Sequence, residues 1–216
     1  MSIRPFLSFL PRWTATLATC WLVAVSLSHD ATADVRLPQA LSDHMVLQRD
    51  QPISVWGWAD KDEEVTVTLA DKTGKVTAGE DGKWRLKLGA LPAGGPHELK
   101  VNGKNEIVLQ DILVGEVWVC SGQSNMEWPL TRTLHPEVEI AAADHPNIRL
   151  LNIPHVISNE PVDDIGAKWQ PCTSDSVAGF SAVGYFFGRH LHKTLNVPVG
   201  LIGTNWGGTR AEAWTS

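Results

Sequence analysis

Cysteine is scarce in this chain, with three residues in 216. That number excludes a disulfide framework, and no Cys/His cluster has the spacing of a zinc site. No acidic loop of the calcium type is present, and no glycine-rich run leads into Lys-Ser/Thr to cradle a phosphate. The residues therefore call for no metal and no cofactor. Internal repeats and low-complexity tracts are also missing. Positive charge is in deficit: 18 basic against 24 acidic residues give a net charge of −6, which argues against nucleic acid or an anionic membrane surface as partner.

A long apolar run is lacking too. Residues 13–27, after Arg4 and Arg12, are apolar but short for a membrane span. Ala31-Thr32-Ala33 then supplies an A-x-A cleavage pattern, so residues 1–33 read as a signal peptide and Asp34 as the mature N-terminus. An uncleaved anchor, or a lipoprotein site at Cys20, is the rival reading. The expectation is an exported protein, periplasmic or extracellular, with no membrane contact after cleavage. Removing the signal leaves 16 basic and 23 acidic residues, a net charge of −7. Cys120 and Cys172 remain, either paired or as buried thiols.

Tryptophan is plentiful: eight of the ten lie beyond residue 33. Indoles stack on sugar faces, although most pack in cores. Residues 34–111 read as a small all-β sandwich. QPISVWGW (51–58), EVTVTL (64–69) and KWRLKL (83–88) alternate, and shorter runs follow at 97–101 and 106–109. Turn signals at 72–74, 80–82, 92–95 and 102–103 separate them. From residue 112 the pattern becomes α/β. ILVGEVWVC (112–120), NIRLLNI (147–153) and VPVGLI (197–202) read as buried strands. FSAVGYFFGRHLHKTL (180–195) reads as a helix capped by Ser181, with Val183, Phe186, Phe187, Leu191 and Leu195 on one side. About three strands are too few for an open α/β sheet, so residues 112–216 are expected to be the first part of a larger domain.

Two stretches carry candidate chemistry. In VWVCSGQSNMEW (117–128), a serine between a buried strand and a helix has its hydroxyl at the rim of the sheet, beside N–H groups that favour developing negative charge. Ser124 is the candidate nucleophile, with Ser121 less favoured; the competing reading makes Ser124 a helix cap. The pattern is not the usual hydrolase elbow, because Met126 stands where glycine would follow. In GTNWGGT (203–209), glycines after a parallel strand offer backbone N–H groups to an oxyanion hole, or merely permit a tight turn. Asn125, Glu127, Trp128, Asn205 and Trp206 are candidate pocket residues, with Glu212 and Trp214 outside the assignment. A serine needs a base. His155 is the least unfavourable histidine, whereas His190 and His192 lie on the helix.

VWVCSGQSNMEW, FSAVGYFFGRHLH and VPVGLIGTNWGGTRAEAW together resemble the sialate O-acetylesterase family of SGNH-type hydrolases. LSDHMVLQRDQPISVWGWA (41–59) is similar to the β-domain that precedes the catalytic part in bacterial members. The resemblance implies a flavodoxin-like α/β domain with a serine nucleophile, no cofactor, and an O-acetylated sugar, sialic acid or another glycan, as substrate. It places the nucleophile at Ser124 and oxyanion-hole donors at the Ser124 N–H and at Gly207 or Gly208. It also implies an Asp-x-x-His element and a further oxyanion residue later in the chain, neither of which occurs before Ser216. The expectation is the N-terminal part of such an esterase, with little activity by itself. The alternatives are a secreted glycan-binding module using Trp56, Trp58 and Trp84, and an acetylesterase acting on plant polysaccharide.

Overall fold

The computed structural model describes residues 34–214. The signal-peptide assignment falls on residues 1–33, outside the described residues. Strands β2 (Ile53–Trp58) and β5 (Lys83–Leu88) pair antiparallel as a two-stranded ribbon. Strand β3 (Glu64–Leu69) pairs with β4 (Lys72–Thr77) and with β6 (Gly94–Asn102). Alternation fixes the faces: Val55, Val65, Val67, Leu69, Trp84, Leu88, Leu99 and Val101 point inward and form one shared core. Lys72-Thr73-Gly74, expected as a turn, lies inside β4. The hairpin bends one step earlier, at Ala70 and Asp71, with Ala70 at φ +52°. Gly74 is needed within the strand because a Cβ there would meet the Leu86 side chain at 2.9 Å.

The next strand, β7 (Glu106–Gly122), is 17 residues long and joins the two parts of the fold. The 111/112 boundary drawn from composition falls inside it. Its first half pairs antiparallel with β6, and β1 (Val46–Gln48) runs parallel to residues 113–115. Pairing with β6 shifts register around Asp111, which sits at φ +57° and makes a bulge that re-aims the strand. The second half pairs parallel with β10 (Val199–Asn205), which pairs parallel with β8 (His145–Asn152); β9 (Gln170–Cys172) closes that edge. The result is a mixed α/β fold with one large sheet in the order β4-β3-β6-β7-β10-β8-β9.

That order departs from the flavodoxin-like expectation, in which the first of the three parallel strands lies between the other two. Here the last, β10, is central. Its composition explains the place: Val199 and Leu201 are fully buried and Gly200 and Gly203 admit close neighbours, whereas β7 leaves Trp118 and Val119 exposed.

Among the described residues four α-helices flank the strands: α1 (Ser124–Glu127), α2 (Pro136–Ala141), α3 (Ser174–Val177) and α4 (Ala182–Leu195). Ser181 caps α4 as expected, its hydroxyl accepting from the Gly184 N–H at 3.0 Å. The buried face of α4 is only partly the expected one: Phe186 and Leu191 do pack against the core. Ala182, Gly184, Tyr185 and Gly188 pack inward, while Val183, Phe187 and Leu195 are exposed. Close approach selects the glycine face, since a Cβ at Gly188 would come within 2.6 Å of Leu201. Beyond β10 the chain makes a single 3-10 turn, Ala211–Trp214.

One polar cluster ties the two parts together. The buried Arg149 guanidinium of β8 grips Asp111 with two bonds, at 2.7 and 3.0 Å, and also donates to the carbonyls of Pro146 and His44. His44 Nδ1 is 2.7 Å from the same carboxylate. The Arg149 bonds, then that of His44, hold Asp111 below the usual carboxylate range.

Candidate active site

At the carboxyl end of β7 the chain turns at Gly122, with φ +144°. The carbonyl of Gly122 accepts from the Trp206 N–H at 2.9 Å, tying this turn to the end of β10. Gln123 occupies the N-cap position of α1 and makes no side-chain cap bond, while Ser124 is the first residue inside the helix. The cap reading of Ser124 therefore fails on position. Its side chain is exposed, and its hydroxyl has no hydrogen-bond partner among the described residues. Ser121 is still within β7.

The β10 register pairs Asn205 with Gly122, so the residues after β10 arrive beside α1. A Cβ built on Gly207 would lie 3.4 Å from Ser124 Oγ and 2.2 Å from Glu127 Oε2, so a side chain here would displace the Glu127 carboxylate. Gly207 is thus the neighbour of the serine; Gly208, at φ +77°, faces open space. The Gly207 N–H, expected to serve an oxyanion, instead donates to Glu127 Oε2 at 2.6 Å. Its carboxylate sits where a small anion would be held, which shows what charge this N–H prefers.

His155 joins the same group. Its ring stacks on Trp206 at 4.3 Å and 6°. Its Nε2 lies 2.8 Å from the Asn205 carbonyl and 3.6 Å from Glu127 Oε1. Both neighbours are acceptors, which favours the tautomer with the proton on Nε2 and commits that nitrogen to them. Of the expected pocket residues, Glu127, Asn205 and Trp206 come together here with Ser124 and Gly207. Asn125 is exposed with no described contact to the group, and Trp128 spends its indole N–H on the Arg132 carbonyl at 2.9 Å.

Beside the group opens a cleft of about 600 Å³ lined by Ile153, His155, Ile157, Trp206, Thr209 and Trp214, a volume in the range of small-molecule sites. Ser124 does not line it. Trp214 is drawn in by its indole N–H, which donates to Thr209 Oγ1 at 2.8 Å.

The Asp–His pair of the fold lies elsewhere. His44 and Asp111 sit at the bulge, eleven residues before Gly122 along an extended strand, roughly 35 Å away. His192 Nδ1 is bonded to the Val197 carbonyl. Cys120 and Cys172 are both free and buried, and burial pushes the Cys172 thiol up to about 12. No group of three or more His, Cys, Asp or Glu side chains that would hold a metal ion occurs among the described residues.

No family model matches the chain. It is 34% identical to the human sialate O-acetylesterase, an alignment covering 84% of this chain and 39% of that protein. The mouse sialate O-acetylesterase is 31% identical over 90% of the chain and 40% of its own length. The crystal structure of a carbohydrate acetylesterase from Xanthomonas citri superposes with a TM-score of 0.82 at 39% identity, covering 84% of this chain and 43% of that one. The chain thus spans about two-fifths of the length of the relatives it matches. Over that shared length, the chain is similar to the sialate O-acetylesterases.

Proposed function

We propose that this protein belongs to a serine esterase that removes acetyl groups from O-acetylated carbohydrates, with Ser124 as nucleophile in an SGNH-type domain. The observation that carries the reading is the exposed, unpartnered Ser124 hydroxyl beside Gly207, at the rim where β7 and β10 end. Ligands gather at the carboxyl ends of parallel strands. The relatives' names supply the ester class. Sialic acid is the favoured sugar and acetylated plant polysaccharide the alternative. The signal-like segment before Asp34 supports a reaction outside the cytoplasm.

Ser124 attacks the acetyl carbonyl, forming an acetyl-serine and releasing the sugar hydroxyl; water then releases acetate. The tetrahedral oxyanion rests on the Ser124 N–H, free at the start of α1, and on the Gly207 N–H once Glu127 yields it. The Ser124 proton needs an acceptor, and the committed Nε2 of His155 does not provide one. The histidine of an Asp-x-x-His element, as the family resemblance implies, fills that role. Residues 34–216 alone are accordingly expected to turn over slowly.

The test is a fluorophosphonate probe followed by peptide mapping, run beside acetate release from 9-O-acetylated sialic acid. Label on the peptide containing Ser124, lost in Ser124→Ala and kept in Ser121→Ala, supports the assignment. Equal labelling or equal acetate release by Ser124→Ala at unchanged circular dichroism overturns it.

A further inference from the structure

The outer face of the β2–β5 ribbon carries chemistry that the Ser124 group does not use. Trp56 and Trp58 alternate with buried Val55 and Gly57 and are both half-buried, Trp56 also packing against the neighbouring core. Of the three tryptophans considered from sequence, only Trp84 is in the core. Strand pairing sets Arg85 opposite Trp56 and Lys83 opposite Trp58, and Arg36 bridges to Trp58 from the other flank. The Arg36 guanidinium lies 4.6 Å from the Trp58 ring centre, and that of Arg85 lies 5.8 Å from the Trp56 ring.

Charge pairing separates these cations. Lys83 is held by Asp163 at 2.9 Å. Neither Arg36 nor Arg85 has a carboxylate partner among the described residues. Two guanidinium groups lie over two neighbouring indoles here without a salt bridge of their own among the described residues, and Asp81 and Asp163 also line this face. A cleft of about 480 Å³ runs along this face, lined by Trp56, Trp58, Lys83, Trp84, Arg85 and Asp163. Trp84 is 4% exposed, and its indole N–H is a buried donor without a partner. Buried polar groups are normally satisfied.

We propose that this face is a second carbohydrate site, separate from Ser124, for a sugar that carries a carboxylate. Indole faces accept the C–H side of a pyranose ring. A guanidinium stacked on an indole keeps its planar fork of N–H donors in one orientation, which matches a carboxylate with two parallel bonds. The cleft shares no residue with the group around Ser124 or with the cleft beside it. A neutral sugar would leave the guanidinium fork of Arg85, the arginine that lines the cleft, unused, so the carboxylate sets the preference.

The experiment titrates the full chain, as Ser124→Ala, with the methyl glycoside of N-acetylneuraminic acid, following saturation-transfer NMR and tryptophan fluorescence. This ligand has no O-acetyl group, so its binding is independent of the esterase reading. Saturable binding is expected, weakened at least tenfold when the sugar carboxylate is a methyl ester. Arg85→Gln and Trp56→Ala are expected to weaken it at least tenfold as well, with circular dichroism unchanged, whereas Trp206→Ala retains it. Binding that treats acid and ester alike, that survives Arg85→Gln, or that is lost in Trp206→Ala overturns the proposal, as does no saturable binding. Retained hydrolysis of a small acetyl ester by the Arg85→Gln protein with Ser124 intact would show that the two sites fail or stand separately.

Discussion

Along its first half, β7 is flanked by β6 and by the segment around β1, and Ile112, Leu113 and Val114 are buried. Along its second half it pairs, among the described residues, with β10 on one side; Trp118 is 43% and Val119 62% exposed, and the strand delivers Gly122 and Ser124 to the rim. The same extended backbone thus serves two purposes. The enclosed half gains stability from apolar burial and from the Asp111–Arg149 clamp. The other half contributes less burial within residues 34–214, and its end presents an unpartnered hydroxyl.

The comparison can be broken by mutation. Ile112→Ala, in the fully enclosed half, should cost about 4 kcal/mol through lost burial and a residual cavity, read from urea unfolding. Arg149→Ala should cost about 3 kcal/mol, because it leaves Asp111 beside the bulge without its main partner. That penalty depends on pH. The folded-state pKa of Asp111 is lowered, so its contribution is present above the ordinary value of 3.8 and is lost as pH falls through the folded value. The gap between wild type and Arg149→Ala should therefore narrow below 3.8, and a gap that widens in acid would contradict the clamp.

Effects at the open end should be smaller. Glu127→Gln weakens the bond to the Gly207 N–H and should cost about 1 kcal/mol, measured as a shift in urea midpoint. Val119→Ala should stay within about 0.5 kcal/mol of wild type. A cost at Val119 equal to that at Ile112 would mean that the second half of β7 is covered in solution.

Much of this was readable in the residues. β2, β3 and β5 alternate with a period of two, and the structure starts or ends them where the alternation does. Ser181 announced its helix, because a cap is a local hydrogen bond. The Gly-Gln-Ser-Asn turn and the Gly207-Gly208 pair were visible as a serine and glycines at strand ends. The face of α4 was misread in part because hydrophobicity favoured Val183 and Phe187, whereas packing against Leu201 demanded Gly188.

Local backbone preference and alternation therefore determined, from the sequence alone, where most strands and the main helix lie and which serine stands at a strand end. Only the tertiary structure decided that β10 lies between β7 and β8, that Asp111 belongs to Arg149, and that the Gly207 N–H is taken by Glu127 with His155 alongside. Those choices bring together residues dozens of positions apart. They are made by fit and charge between elements, which no short window of sequence contains.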